Sequence, residues 1–350
     1  MKQYLPLLLL LALTIPGHSQ QSQIEERLNK WLLQFPEADA NGDGKLTLEE
    51  AQAYREKMTS GTDKRSKKKS TVEPTYANVS YGPHDRNKLD LWIPDESSDG
   101  TPFPVLIYFH GGGFVVGDKG SFDPSIYLDA GIACISANYR FVDGIHNLGI
   151  HPLQDGARVV QTVRHRAEEW NLDPGRIALS GGSAGAVMAM WIAYKDDMAD
   201  PASDDPVSKE STRVNCIVPI NGPTNLMPDW IQKNLGGPAH VHGSFAKMFG
   251  EGVSGSIPEP ILALIREVSP WEHVSADDPP SFLVYSGPLD EVPLPETATT
   301  GKLIHHPYFG KALKEKLDEL GVENEFRYGF DPRGTMSIPE FLMTHFGMID

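Results

Sequence analysis

Residues 176–185 read RIALSGGSAG. Residues 176–180 are an apolar run of strand type, and residues 184–193 are an Ala-rich run of helix type. Between them, Gly181-Gly182-Ser183-Ala184-Gly185 has the G-x-S-x-G spacing. That spacing suits a serine on a tight strand-to-helix turn with strained dihedrals. Gly181 and Gly185 leave room for neighbouring backbone, and the Ser183 hydroxyl stands above the sheet. The helix N-terminus beneath it favours negative charge. A dinucleotide-type phosphate loop does not fit, because the G-x-G-x-x-G spacing is absent.

Alone, G-x-S-x-G is a weak signal, since glycine and serine are common in turns. A second motif strengthens it. About 70 residues upstream, His110-Gly111-Gly112-Gly113-Phe114 directly follows the strand-like run PVLIYF. Such a glycine run offers backbone N–H donors toward the same spot, an oxyanion hole.

Strand-like runs extend on both sides of this pair, at 76–81, 89–93, 104–109, 132–137, 176–180, 216–220, 281–285 and 325–328. Helical runs alternate with them. Leu153, Ala157, Val160, Arg164 and Ala167 mark one face, and residues 184–193 and 313–320 mark two others. The alternation predicts an α/β domain with a mostly parallel central sheet and helices on both faces. Several runs are continuously apolar, as strands covered on both faces should be. Residues 222–280, between the sixth and seventh strands, exceed an ordinary crossover. They read as a lid-like insertion or acyl-pocket wall at the carboxyl ends of the strands, or as an extra packing helix pair.

The stretches LDLWIP (89–94), YFHGGGFVVGD (108–118), SANYRF (136–141), HPLQDGARVV (151–160), LDPGRIALSGGSAG (172–185) and SGPLDEVP (286–293) resemble, in order and approximate spacing, α/β-hydrolases of the hormone-sensitive-lipase-like esterase and lipase group. The resemblance covers residues 76–346. It implies ester hydrolysis without a catalytic cofactor, through a Ser–Asp–His triad in that chain order. It implies Ser183 as nucleophile and Asp290 as the acid that orients the histidine. The Gly111, Gly112 and Ala184 backbone N–H groups would form the oxyanion hole. It also implies that Asp155 holds the loop below the serine rather than doing chemistry. Asp173 fits a turn before the nucleophile strand.

The sequence departs from that group at the base. The group places its histidine in the loop after the last strand, and here that loop reads GFDPRGTM (329–336). Three histidines follow Asp290: His305, His306 and His345. The 305–306 pair is expected to begin the helix before the last strand. His345, in THFG, is the expected base, through a shifted loop, with one of the 305–306 pair, or no conventional histidine at all, as the alternatives. Two further readings stand beside the esterase: a catalytically inactive hydrolase-fold binding protein, and a peptidase on the same fold. The substrate is expected to be a small-molecule or polysaccharide-bound ester, such as an acetylated or feruloylated sugar.

Near the N-terminus, residues 39–50 read DANGDGKLTLEE. Asp39, Asn41 and Asp43 stand at loop positions 1, 3 and 5. Gly44 permits the sharp turn, Lys45 supplies a carbonyl, and Glu50 at position 12 can chelate with both oxygens. These are the requirements of a twelve-residue EF-hand calcium loop, and helical runs flank it. Residues 24–58 therefore resemble a single EF-hand, expected to hold Ca²⁺ structurally. Residues 59–72 carry basic residues without apolar periodicity and read as a linker. Residues 73–350 form the hydrolase-like domain.

Residues 1–19 have the three parts of a secretory signal: Lys2, an apolar stretch from Leu5 to Ile15, and small residues before a cut ahead of Gln20. Export, to a secreted or periplasmic location, is the expectation. Beyond the first twenty residues no apolar run reaches membrane-spanning length. The formal net charge of −16 argues against nucleic acid as a partner, because phosphate contacts need a basic face. Cys134 and Cys216 fall on strands expected to be two apart, so they read as buried free thiols. His240 and His242 read as a surface loop.

Overall fold

The computed structural model describes residues 32, 38–47, 50, 72–95, 100–237, 244–250, 257–329 and 336–349. The chain divides into two compact units, Met1–Lys68 and Lys69–Asp350. The export segment, nearly all of the 59–72 linker and the His240–His242 pair lie outside the described residues.

Among the described residues of the larger unit, eight strands form one sheet. They are β1 (Tyr76–Ser80), β2 (Lys88–Trp92), β3 (Phe103–Phe109), β4 (Ala133–Ala137), β5 (Leu172–Gly182), β6 (Cys216–Ile220), β7 (Ser281–Tyr285) and β8 (Asn324–Tyr328). Their order is β1-β2-β4-β3-β5-β6-β7-β8. The β1–β2 and β2–β4 pairs are antiparallel, and the remaining pairs are parallel. Each strand coincides, within a residue or two at most ends, with one of the strand-like runs. β5 starts earlier than its run, because Leu172 pairs with Phe103.

Side chains alternate across the sheet, as the period of two requires. Val105, Ile107 and Phe109 face one core together with Ile177, Leu179, Ile217 and Leu283. Helices α2 (Ile150–His165), α3 (Ala184–Tyr194) and α8 (Tyr308–Leu320) cover that face. Leu106, Ala178, Val218 and Phe282 face the other side, against α1 (Ser125–Leu128) and α9 (Ile338–His345). Every residue of α3 is buried, so this helix is apolar all round and runs through the core.

Four further helices fall within the connections on either side of β7. Those between β6 and β7 are α4 (Pro228–Asn234), α5 (Phe245–Phe249) and α6 (Glu259–Val268); α7 (Thr300–Ile304) follows β7. Cys134 and Cys216 are buried free thiols on β4 and β6, with β3 and β5 between them. Burial raises both thiol pKa values.

Candidate active site

Ser183 stands between β5 and α3 at φ 54°, ψ −112°. A positive φ on a residue with a Cβ stores strain of about 1–3 kcal/mol, which persists only where the surroundings enforce it. Here they do. Ser183 N–H donates to the Ile220 carbonyl at 2.8 Å, tying the turn to β6. On the other side, a Cβ on Gly185 would overlap the Phe109 carbonyl oxygen. The glycine spacing of the motif thus reflects how closely β3 approaches the turn.

The Ser183 hydroxyl oxygen lies 2.9 Å from His305 Nε2. His305 caps the C-terminus of α7, and its backbone N–H donates to the Gly301 carbonyl. The Thr299 side chain caps the other end of that helix. His305 does not begin the helix before β8, as the sequence suggested. Pro307 separates the two, and α8 starts at Tyr308. His306 is buried, and its Nδ1 accepts the Tyr308 N–H at 3.1 Å. Burial lowers its pKa.

His345 is a correction. It ends α9, on the opposite face of the sheet from α3. Its Nε2 lies 3.7 Å from Glu323 Oε1, and its ring packs edge-on to Phe341 at 4.3 Å. Phe341 in turn packs on Phe282 of β7. Apolar packing of α9 under the sheet fixes this histidine there, away from the serine.

Asp290 follows β7. Its Oδ2 lies 2.6 Å from Lys302 Nζ on α7, both partly exposed. The Asp290 charge also acts on His306. Asp155 holds the loop after β4. It accepts the Arg140 backbone N–H at 2.9 Å and forks the Arg140 guanidinium at 2.7 to 3.0 Å. Asp173 closes its own turn, accepting Gly175 N–H and pairing with Arg176.

The glycine run after β3 lies against the serine. The Gly111 α-carbon backs onto the Gly182 carbonyl and the Ser183 side chain. Gly113, rather than the expected Gly111, lines a pocket with Ser183 and Ala184. The Gly112 carbonyl accepts N–H groups from Val115 and Val116, both at 3.1 Å. Because a trans peptide places C=O and N–H on opposite sides, this turns the Gly113 N–H the other way. The pocket is almost wholly apolar and holds about 70 Å³ of free space. Its walls include Val187 of α3, and Leu226, Ile231, Phe245 and Met248 from the 222–280 insertion.

In the smaller unit, the described part of the 39–50 loop is closed by its own side chains. Asp39 accepts N–H groups from Gly42, Asp43 and Gly44, and Asn41 accepts from Asp43. Gly42 and Gly44 have positive φ. Glu50 bonds the Thr47 N–H and hydroxyl, which lowers its carboxyl pKa. The donors are hard oxygens, the chemistry calcium takes. Among the described residues, no three His, Cys, Asp or Glu side chains converge as metal ligands.

The BD-FAE family matches residues 89–299, a stretch that ends just before His305. A probable isoprenylcysteine alpha-carbonyl methylesterase of Arabidopsis thaliana is 27% identical over 251 residues, 70% of this chain and 48% of that protein. The probable carboxylic ester hydrolase LipM of Mycobacterium tuberculosis is 30% identical over 215 residues, 59% of this chain and 46% of LipM. The chain thus spans about half the length of these curated relatives. Among solved structures, a truncated carbohydrate esterase from gut microbiota superposes with a TM-score of 0.60 at 19% identity, covering 80% of this chain and 98% of that one. An acetyl ester-xyloside bifunctional hydrolase from Caldicellulosiruptor lactoaceticus gives 0.55 at 25% identity, covering 76% and 90%.

Proposed function

This chain belongs to the BD-FAE family, and we propose that it is an exported serine esterase with Ser183 as nucleophile and His305 as base. The observation that carries this reading is the 2.9 Å approach of His305 Nε2 to the Ser183 hydroxyl, within the reach a general base needs. His305 takes the Ser183 proton as the hydroxyl oxygen attacks the ester carbonyl. The Gly112, Gly113 and Ala184 backbone N–H groups hold the developing oxyanion. His305 then protonates the departing alcohol, and water releases the acyl group by the same steps. We assign Asp290 as the acid. Its carboxylate acts on His306, the neighbour of the base, and its Lys302 partner stands on the helix that carries the base.

The small apolar pocket supports a short acyl group such as acetyl. Pockets that bury drug-sized ligands are about 300–1,000 Å³, far larger than the 70 Å³ of free space here. The alcohol side is assigned to a carbohydrate, in line with the acetyl ester-xyloside bifunctional hydrolase that shares the fold. Calcium is assigned a structural role at Asp39, Asn41, Asp43, Glu50 and the Lys45 carbonyl, where it would order the loop. Export rests on the signal-like residues 1–19.

Fluorophosphonate labelling of the purified protein tests the reading. Labelling that maps to Ser183 and disappears in His305→Ala supports it. An unlabelled protein would favour the inert binding-protein reading.

A further inference from the structure

The geometry points to Arg86, on the turn between β1 and β2, as a positioning residue that sets the oxyanion hole through His110. This inference rests on the esterase reading of the site.

Arg86 lies far from the serine in sequence, yet its guanidinium joins three pieces of the loop behind the oxyanion glycines. Nε donates to the Tyr139 carbonyl at 2.8 Å. Nη2 donates to the Gly117 carbonyl at 3.1 Å and lies 3.4 Å from His110 Nε2. The guanidinium plane rests over the Phe141 ring, 3.6 Å from its centroid. His110 is 1% exposed and stacks on Tyr139 with centroids 4.3 Å apart.

These contacts leave one protonation form for His110. Its Nδ1 lies 2.8 Å from the Gly111 carbonyl oxygen. A carbonyl can only accept, so Nδ1 carries the proton. A guanidinium can only donate, so Nε2 presents its lone pair to Arg86. The imidazole is therefore neutral, with the proton on Nδ1. The Tyr139 hydroxyl donates to the His110 carbonyl at 2.6 Å and holds the adjoining backbone.

The consequence reaches the site through one peptide plane. His110 holds the Gly111 carbonyl on the side away from the serine. The Gly111–Gly112 peptide is planar and trans, so its N–H must point the opposite way, toward the place where the oxyanion forms. Gly117 makes room for this: a Cβ there would overlap His110 Nδ1 and lie 2.5 Å from the Gly111 oxygen. Preorganised donors of this kind act on the transition state far more than on the bound substrate. Losing Arg86 frees His110 to take the other tautomer, which releases the Gly111 carbonyl.

The test uses the full-length protein with Arg86→Gln and Arg86→Lys. Lysine keeps the charge but not the fork. Three readouts are taken: steady-state kinetics on p-nitrophenyl acetate, inhibition by an aryl trifluoromethyl ketone that forms a tetrahedral oxyanion adduct, and the ¹⁵N-coupled imidazole proton of His110 by NMR. Both variants should lose about 10- to 100-fold in kcat, less than the roughly 100- to 1,000-fold cost of removing an oxyanion donor outright, because the donor is loosened rather than deleted. KM should stay within about twofold, and ketone affinity should fall in parallel with kcat. The His110 Nδ1–H signal should broaden or move. In a third variant, Arg86→Ala, free guanidinium should restore part of the lost kcat. A kcat unchanged in both variants, a loss carried by KM, or an unaltered Nδ1–H signal overturns the proposal. If the unsubstituted protein shows neither turnover nor fluorophosphonate labelling, it is the esterase reading that fails. The NMR readout then still reports whether Arg86 sets the His110 tautomer.

Discussion

The Ser183 hydroxyl and His305 Nε2 meet at 2.9 Å across 122 positions of sequence. The serine stands on the turn that leads into the buried helix α3, and the histidine on the end of a five-residue helix. In the resembled esterase group the base follows the last strand. Here the histidine that meets the serine lies one crossover earlier, between β7 and α8. The residues after β8 carry no histidine up to α9, and α9 takes His345 to the other face of the sheet.

Removing the nucleophile should abolish turnover. Ser183→Ala is expected to lower kcat on a short p-nitrophenyl ester by on the order of a millionfold. Thermal melting should stay close to that of the parent, because the hydroxyl carries no packing. Retained activity in the purified variant would place the chemistry elsewhere.

The two histidines give opposite outcomes. His305→Ala should cost on the order of 10⁴-fold or more in kcat, while His345→Ala should stay within a few-fold. His345 pairs only loosely with Glu323, at 3.7 Å. Kinetics of the two variants side by side decide it, and a large loss in His345→Ala with a small one in His305→Ala reverses the assignment.

Acyl length should follow the pocket wall. Met248 is buried against the pocket, and its carbonyl accepts the Gly149 N–H at 2.7 Å, a bond the alanine variant keeps. Met248→Ala should raise the hexanoate-to-acetate ratio of kcat/KM by roughly tenfold or more, the low end of what one methylene is worth in an apolar pocket. An unchanged ratio means the acyl chain lies elsewhere.

Stability should fall with rising pH because of Asp278. Burial pushes its carboxyl up to about 6, against the Ser275 hydrogen bonds that act to lower it. The same group in the unfolded chain titrates near 3.9. Between about pH 4 and 6 the folded state keeps a proton that the unfolded state releases, so stability declines through that window. The loss is about 3 kcal/mol at most. Asp278→Asn should flatten the decline, as urea titrations at pH 4 and pH 7 would show. Parallel pH curves for the two proteins would remove this cause.

Calcium should bind once and leave catalysis alone. Isothermal titration of the full chain should show one site, lost in Asp39→Ala. Esterase activity should persist in chelator, since no residue proposed for the chemistry lies in the 39–50 loop. Activity that vanishes with EDTA and returns with calcium would contradict a purely structural role.

Much of the larger unit was legible because its signals are local. A strand that pairs on both sides and packs on both faces must be apolar, so the central strands stood out as apolar runs, while the exposed edge strands β1 and β8 showed only as short strand-like stretches. The G-x-S-x-G and HGGG motifs were legible for a related reason. A serine at positive φ, with β3 backbone pressing on Gly185, leaves few residue types that fit.

What the sequence by itself determined was therefore the eight strands, the mostly parallel character of their sheet and the placing of Ser183 on a strand-to-helix turn. Its spacing also marked out the calcium-type loop. Tertiary structure alone decided which of three histidines reaches Ser183, because that depends on where α7 and α9 pack rather than on the residues beside each histidine. Apolar packing of Phe341 on Phe282 carried His345 under the sheet, and the path of the chain after β7 brought His305 over the serine. The Arg86–His110 contact was hidden for the same reason. Nothing near Arg86 in sequence marks it, and only the fold brings the turn after β1 behind the glycines that follow β3.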